Sequence, residues 1–254
     1  MINIRVFYSK PLHLTGMGDS GRNMDAVGEA VAALTCRNKF SMASSKITIS
    51  TVGPSPEAFA TLSAMPGTLA WSLHSADDKI RRKLVPSTRH TTVELRDGLV
   101  KALKSRKAIR TRTIMIALTL IDGVNDSEED AVKLTKFIEP MLGDVPKIAI
   151  DLIPYNDISV PEFKKPSKEK VNAFQKVVRE AGYFCTVRVT RGEDESSACG
   201  MLATKRLKKD RLLSKHEEDG ETALEGIDET SVTDSVVTMT VADFDNLCAD
   251  KPGQ

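Results

Sequence analysis

Cysteine is scarce in this chain: four in 254 residues, at positions 36, 185, 199 and 248. That number is too small and too scattered for a disulfide scaffold, and it points to a reducing, intracellular compartment, with the cytoplasm the default. Long apolar runs are missing too. No stretch of about 18 hydrophobic residues exists, so no transmembrane helix and no membrane partner are expected. The opening MINIRVFYSK has neither the apolar core nor the small-residue cleavage site of a secretory leader. A large net charge is also lacking, at +1 overall. What is present is a globular composition, 41% hydrophobic and 28% charged. That excludes wholesale disorder and is enough to bury a proper core.

The small net charge hides an asymmetry. Residues 216–254 carry 11 acidic side chains and one basic, a net of −10. Residues 1–215 carry 35 basic against 24 acidic, a net of +11. A basic body attracts polyanions, nucleic acid first among them. The same charge equally suits a mildly basic enzyme with no such partner.

Short β-branched runs alternate with longer helical patterns. The spacing predicts strands at Ile2–Tyr8, Ile47–Thr51, Thr68–Leu73, Thr113–Leu120, Lys147–Ile153 and Phe184–Thr190. Helices are predicted over about 23–36, 55–64, 78–84, 91–106, 127–142 and 167–181. Six strand–helix units mean a parallel sheet, and the α/β class is expected as an open or partial barrel. Ser127 ahead of Glu128, Glu129 and Asp130 reads as a helix cap with an acidic first turn. After residue 204 the character changes. Residues 205–215 are a basic helix end, and 216–254 are expected to form a flexible, disordered acidic tail with one short helix at 241–248.

In parallel barrels, chemistry sits on the loops after the strands. The unusual polar residues fall there. Gly16-Met17-Gly18-Asp19 follows the first region, Ser50-Thr51-Val52-Gly53 ends the second strand, and Ser72-Leu73-His74-Ser75 ends the third. Asp122-Gly123-Val124-Asn125-Asp126, Pro154-Tyr155-Asn156, and Arg191-Gly192 with Ala198-Cys199-Gly200 follow the fourth, fifth and sixth. Each has an ordinary reading. A glycine pair makes a turn, a lone histidine is a hydrogen-bonded surface group, Asn156 caps a turn, and Cys199 is a small hydrophobe. Their gathering at one rim is what suits a polar, nucleoside-like ligand.

These motifs, in order, resemble a family. Gly16–Asp19 is similar to a GMGEP stretch. Ile47–Gly53 (ITISTVG), Trp71–Pro86 (WSLHSADDKIRRKLVP), Leu120–Asp126 (LIDGVND), Leu152–Asn156 (LIPYN) and Arg191–Leu202 (RGEDESSACGML) follow it. Together they look like the radical S-adenosylmethionine (SAM) RNA adenine-C2 methyltransferases, the dual-specificity type acting on 23S ribosomal and transfer RNA. The resemblance runs from about residue 16 to 204. It implies a partial (β/α)6 radical-SAM-type barrel over residues 1–204, truncated at its N-terminus. It also implies site residues. Gly18 and Asp19 would contact the amino-acid end of SAM, and Ser50 the same ligand. Ser72, Leu73 and His74 would line the site, and Asn156 would hold the adenosine or ribose portion. Cys199 would be the catalytic residue, methylated first as a thiolate nucleophile and then passing the carbon on. A [4Fe–4S] cluster, an electron donor and an RNA substrate with an unstacked adenine complete the implied set.

The sequence departs from that pattern. The family's C-x-x-x-C-x-x-C cluster motif is absent and no metal ligands are assigned, because no three of the four cysteines are close enough in sequence to hold a cluster. Asp19 stands where the family has Glu. Cys36 and Cys185, in a predicted helix and strand, are expected to pack in the core. The alternative to an incomplete methyltransferase is a non-catalytic RNA- or SAM-binding remnant of the family.

Overall fold

The computed structural model describes residues 18–156 and 162–188, together with the backbone of 12–14. Among them is a six-stranded, wholly parallel sheet: β1 (Leu12–Leu14), β2 (Ile47–Thr51), β3 (Thr68–Ser72), β4 (Thr113–Leu120), β5 (Lys147–Pro154) and β6 (Phe184–Val187). The strands are neighbours in sequence order, with β1 and β6 outermost among the described residues. This is the open, unidirectional sheet of a partial (β/α) barrel, with each crossover made by helix.

The helices are α1 (Met24–Thr35), α2 (Pro56–Ala64), α3 (Asp78–Leu84), α4 (Thr92–Lys104), α5 (Glu128–Ile138) and α6 (Lys168–Glu180). Their starts are chemically marked. The Ser55 hydroxyl accepts from the Ala58 amide ahead of Pro56, and Thr91 with Glu94 and Ser127 with Asp130 form reciprocal capping boxes. The six helices expected between the strands all form, most of them trimmed by a residue or two; the one expected over 127–142 ends at Ile138 and passes into a 3-10 turn at Glu139–Met141, and the short helix expected at 241–248 lies outside the described residues. The expected strand Ile2–Tyr8 lies outside the described residues. The strand that pairs with β2 is Leu12–Leu14, inside a segment whose Pro and polar residues hide it.

Alternation along the strands divides the sheet. Ile47, Ile49, Leu69, Trp71, Ile114, Ile116, Leu118, Ile148, Ile150 and Leu152 are buried in one apolar core with Val31, Leu34, Phe59, Leu62, Leu95, Leu99, Leu134 and Phe174 of the helices. Trp71 anchors it, edge-on to Phe59 at 5.6 Å, with its indole N–H donating to the Val52 carbonyl. Cys185 joins this core as expected. Cys36 does not: it is the exposed residue that ends α1, one position past the last turn whose apolar face could bury it. No helix among the described residues is long and apolar enough to cross a membrane.

Candidate functional site at the strand ends

The sheet face away from the helices is built differently. Ser72 of β3 lies in register with Ala117 of β4, Ala117 with Asp151 of β5, and Asp151 with Thr186 of β6. In-register residues of a parallel sheet share a face. One row therefore crosses four strands carrying a hydroxyl, a methyl, a carboxylate and a hydroxyl. The Ser50 and Ser72 hydroxyls lie 3.5 Å apart on that face. The side chains of this row are smaller and more polar than the isoleucines and leucines on the core side of the same strands.

The loops above this face are tied to one another by buried polar bonds. Asp19 caps the first turn of the chain past β1 through the Gly21 amide. It also accepts from the Thr51 hydroxyl at 2.8 Å and from the Val52 amide at 2.8 Å. It thus locks the loop after β1 to the end of β2. Gly18 precedes it at φ +130 with open space where a Cβ would stand. Gly53 takes φ +70, and a Cβ there would sit 2.4 Å from the Phe59 ring, so only glycine fits the end of ITISTVG.

Arg81 is the central tie. It belongs to α3, is 1% exposed, and donates to the carbonyls of Ser72 and Leu73 at the end of β3 and to that of Val52 after β2, the last at 2.5 Å. Its guanidinium lies 5.5 Å from the Trp71 ring. Burial pushes its pKa down to about 10. One planar cation thus fixes the ends of two neighbouring strands, which a lysine's point charge would not do.

His74 follows in the left-handed region, at φ +63. Its Nδ1 accepts from the Thr119 amide at 3.2 Å. Desolvation, and then the Arg81 charge, push its pKa down to about 4, so it is neutral at pH 7 with its second ring nitrogen carrying the proton. The Asn125 side chain donates to the carbonyls of His74 and Thr119 and accepts from the Ile121 amide, at 2.7–2.8 Å. The long LIDGVND motif is therefore a clasp on the SLHS turn. Lys170 of α6 secures it from outside, 2.7 Å from Asp122 and 3.2 Å from Asp126.

Not every implied residue turns its side chain to this face. Ser50 and Ser72 do. His74 caps the turn above them, and Asn156 lies half-buried just past β5. Leu73 contributes backbone only: its side chain is fully buried in the core and its carbonyl is taken by Arg81. Asp19 has both carboxylate oxygens engaged in the loop tie. Cys199, Gly192, Gly200 and Cys248, the basic run 205–215 and residues 216–254 lie outside the described residues.

Sequence reasoning missed the roles of Arg81 and Asp151, and placed Asn125 among the ligand-facing polar residues where its bonds serve the neighbouring loop. In DKIRRKL, Arg81 reads like its exposed neighbour Arg82. Asp151 is a buried carboxylate inside an apolar strand, bonded to Arg188 and to the Thr186 hydroxyl. Its signal was there, since an unpaired acid in IAIDLIP would be costly to bury.

Among known proteins, the dual-specificity RNA methyltransferase RlmN of Sorangium cellulosum is 38% identical over 190 residues, 74% of this chain and 46% of that protein. The dual-specificity RNA methyltransferase RlmN of a Marinomonas species is 33% identical over 190 residues, 74% of this chain and 49% of that protein. A crystal structure of a radical SAM methyltransferase from Sphaerobacter thermophilus superposes with a TM-score of 0.67 at 31% identity, covering 76% of this chain and 54% of that one. The chain is a relative of the radical SAM RNA methyltransferases. It spans about half the length of the curated relatives it matches. No family model matches the chain. A domain of a pyruvate-formate lyase-activating enzyme from Bacteroides vulgatus shares the fold at a TM-score of 0.53 and 15% identity.

That family implies SAM and an iron–sulfur cluster. The hydroxyl pair, the small residues between the strands and the glycine-opened loop at Gly18 fit a nucleoside ligand such as SAM. A cluster finds no fitting ligand set among the described residues. It needs three neighbouring thiolates. Cys36 and Cys185 stand at opposite ends of the described chain, and burial pushes the Cys185 thiol up to about 11, away from the ligating thiolate. No group of three His, Cys, Asp or Glu side chains among the described residues is arranged to hold a metal.

Proposed function

We propose that this chain is the SAM-binding barrel of an RNA adenine-C2 methyltransferase, acting on ribosomal or transfer RNA inside the cell. The observation that carries the reading is the row of small, hydroxylated side chains under the strand ends, held in place by Arg81 and Asn125. Ser50 and Ser72 are the donors to the carboxylate of SAM, and Gly18 lets the backbone approach it. His74, neutral and fixed by the Thr119 amide, faces the same end of the sheet. Asn156 at the end of β5 holds the adenosine. The Asp19 carboxylate shapes the loop that the ligand meets.

Cys199 is the nucleophile in this reading. Its thiol loses a proton and the thiolate sulfur attacks the SAM methyl carbon. The carbon–sulfonium bond breaks, and S-adenosylhomocysteine leaves with the electron pair. Methyl transfer onward to adenine C2 belongs to cluster chemistry, and the described residues hold no ligand set for it. Mass spectrometry of Cys199 after incubation of the chain with SAM tests the assignment. One added methyl group on that cysteine, lost in Ser72→Ala, is expected. An unmodified Cys199 with methyl groups elsewhere would overturn it.

A further inference from the structure

Charge is divided unevenly between the two ends of the sheet among the described residues. The described loops that follow the strands carry Asp19, Asp77, Asp122, Asp126 and Glu162 against Arg22, Lys164, Lys165 and Arg188, so the two signs nearly balance there. The loops that lead into β2–β6, at the other end of the sheet, are 36–46, 65–67, 105–112, 142–146 and 181–183. Their one carboxylate is Asp144, and it is taken by Lys104 of α4 at 2.9 Å. Against it stand Arg37, Lys39 and Lys46 before β2, Lys107 and Arg110 before β4, and Lys147 opening β5, all exposed and none in an ion pair among the described residues.

The loop before β4 is built to hold its charges out. Arg106 is folded inward, donating to the Ser63 carbonyl at 2.9 Å and the Thr111 carbonyl at 2.8 Å, and burial lowers its pKa. Arg112 donates back to the Arg106 carbonyl. These bonds staple both ends of the loop and leave Lys107, Arg110 and the 63%-exposed Ile109 projecting. Thr113 is in register with Lys147, and Thr48 with Thr68, so Lys46 and Lys147 flank a line about 14 Å long across the strand starts.

We propose that this face is a phosphate-backbone contact surface for RNA, separate from the rim where chemistry is placed. The inference rests on the RNA reading above. Six cations facing only Asp144, held by Lys104, and the helix-end carboxylates Glu139 and Glu180 among the described residues suit a phosphodiester backbone, whose charge repeats at short intervals, better than a protein surface of mixed sign. The two ends of β5 are about 23 Å apart, so an RNA that meets both faces must span at least that distance.

The test is binding of a folded RNA hairpin to the full chain by fluorescence anisotropy across a salt series. Lys107→Gln with Arg110→Gln is expected to weaken binding roughly 30-fold near physiological salt and to flatten the log–log salt slope by about 1.8. Lys133→Gln, on the outer face of α5, serves as the control and leaves both unchanged. A wild-type slope in the double variant, with its thermal midpoint preserved, would overturn the surface while leaving the RNA reading standing. No binding by the wild-type chain at low salt would remove both.

Discussion

Replacing Arg81 separates a fixed hydrogen-bonding fork from a mere buried charge. Wild-type Arg81 donates to three carbonyls and stacks on Trp71. Two of those carbonyls keep a second partner without it: Val52 O accepts from the Trp71 indole and Leu73 O from the Ser75 amide. The lost bonds are therefore worth about 1 kcal/mol each, and the ring contact about another 1 kcal/mol. Against this, a shift from 12.5 to about 10 means that burying the cation costs about 3 kcal/mol. Arg81→Met removes both sides of the balance and should cost only about 1–2 kcal/mol, a drop of roughly 2–8 °C in the thermal midpoint. Arg81→Lys keeps a buried cation and reaches one carbonyl instead of three. It should cost more, about 3–4 kcal/mol. Its folded-state pKa lies below that of the unfolded chain, so the unfolded state binds more protons between the two values. The stability of Arg81→Lys should therefore rise with pH toward 10. Chemical denaturation of the three proteins at pH 7 and pH 9 measures this. A lysine variant as stable as wild type, or more stable than the methionine variant, would refute the fork.

His74 has its pKa lowered from 6.5 to about 4, so the unfolded chain takes up a proton first as the pH falls. Stability should be intact above pH 6.5 and lost by about 2–3 kcal/mol on going down to pH 4. His74→Asn, which tolerates φ +63, should flatten that limb in pH-dependent denaturation while keeping most of the stability at pH 7. Asn125→Ala orphans the Ile121 amide and the His74 and Thr119 carbonyls. It should cost about 3–4 kcal/mol and raise amide exchange at Thr119, read by hydrogen–deuterium exchange. Gly53→Ala meets both the φ +70 strain and the Phe59 ring, and a loss of 3 kcal/mol or more is expected by urea unfolding.

The fold was legible because its signals are local. Caps such as Ser127-Glu128-Glu129-Asp130 mark helix starts, and β-branched runs such as Ile47–Thr51 mark buried strands. β1 escaped because a three-residue edge strand has too little pattern to register beside Pro11 and His13. Within the site, Ser50 and Ser72 could be placed from the strand ends alone. The role of Arg81 could not, since burial of one arginine in an arginine pair depends on the turn of a seven-residue helix against Trp71. Asn125 likewise looked like ligand chemistry, and its bonds turn out to serve the neighbouring loop. Long-range polar ties of this kind have no periodicity and leave no trace in spacing.

In the function proposed for this chain, the face of the sheet away from the described helices receives a sulfonium nucleoside. Isothermal titration of SAM into the full chain, beside the Ser50→Ala/Ser72→Ala variant, measures it most directly. One saturable site, weakened at least tenfold in the double variant while the thermal midpoint is held, is the predicted result. No detectable heat, or equal affinity in both proteins, would contradict it.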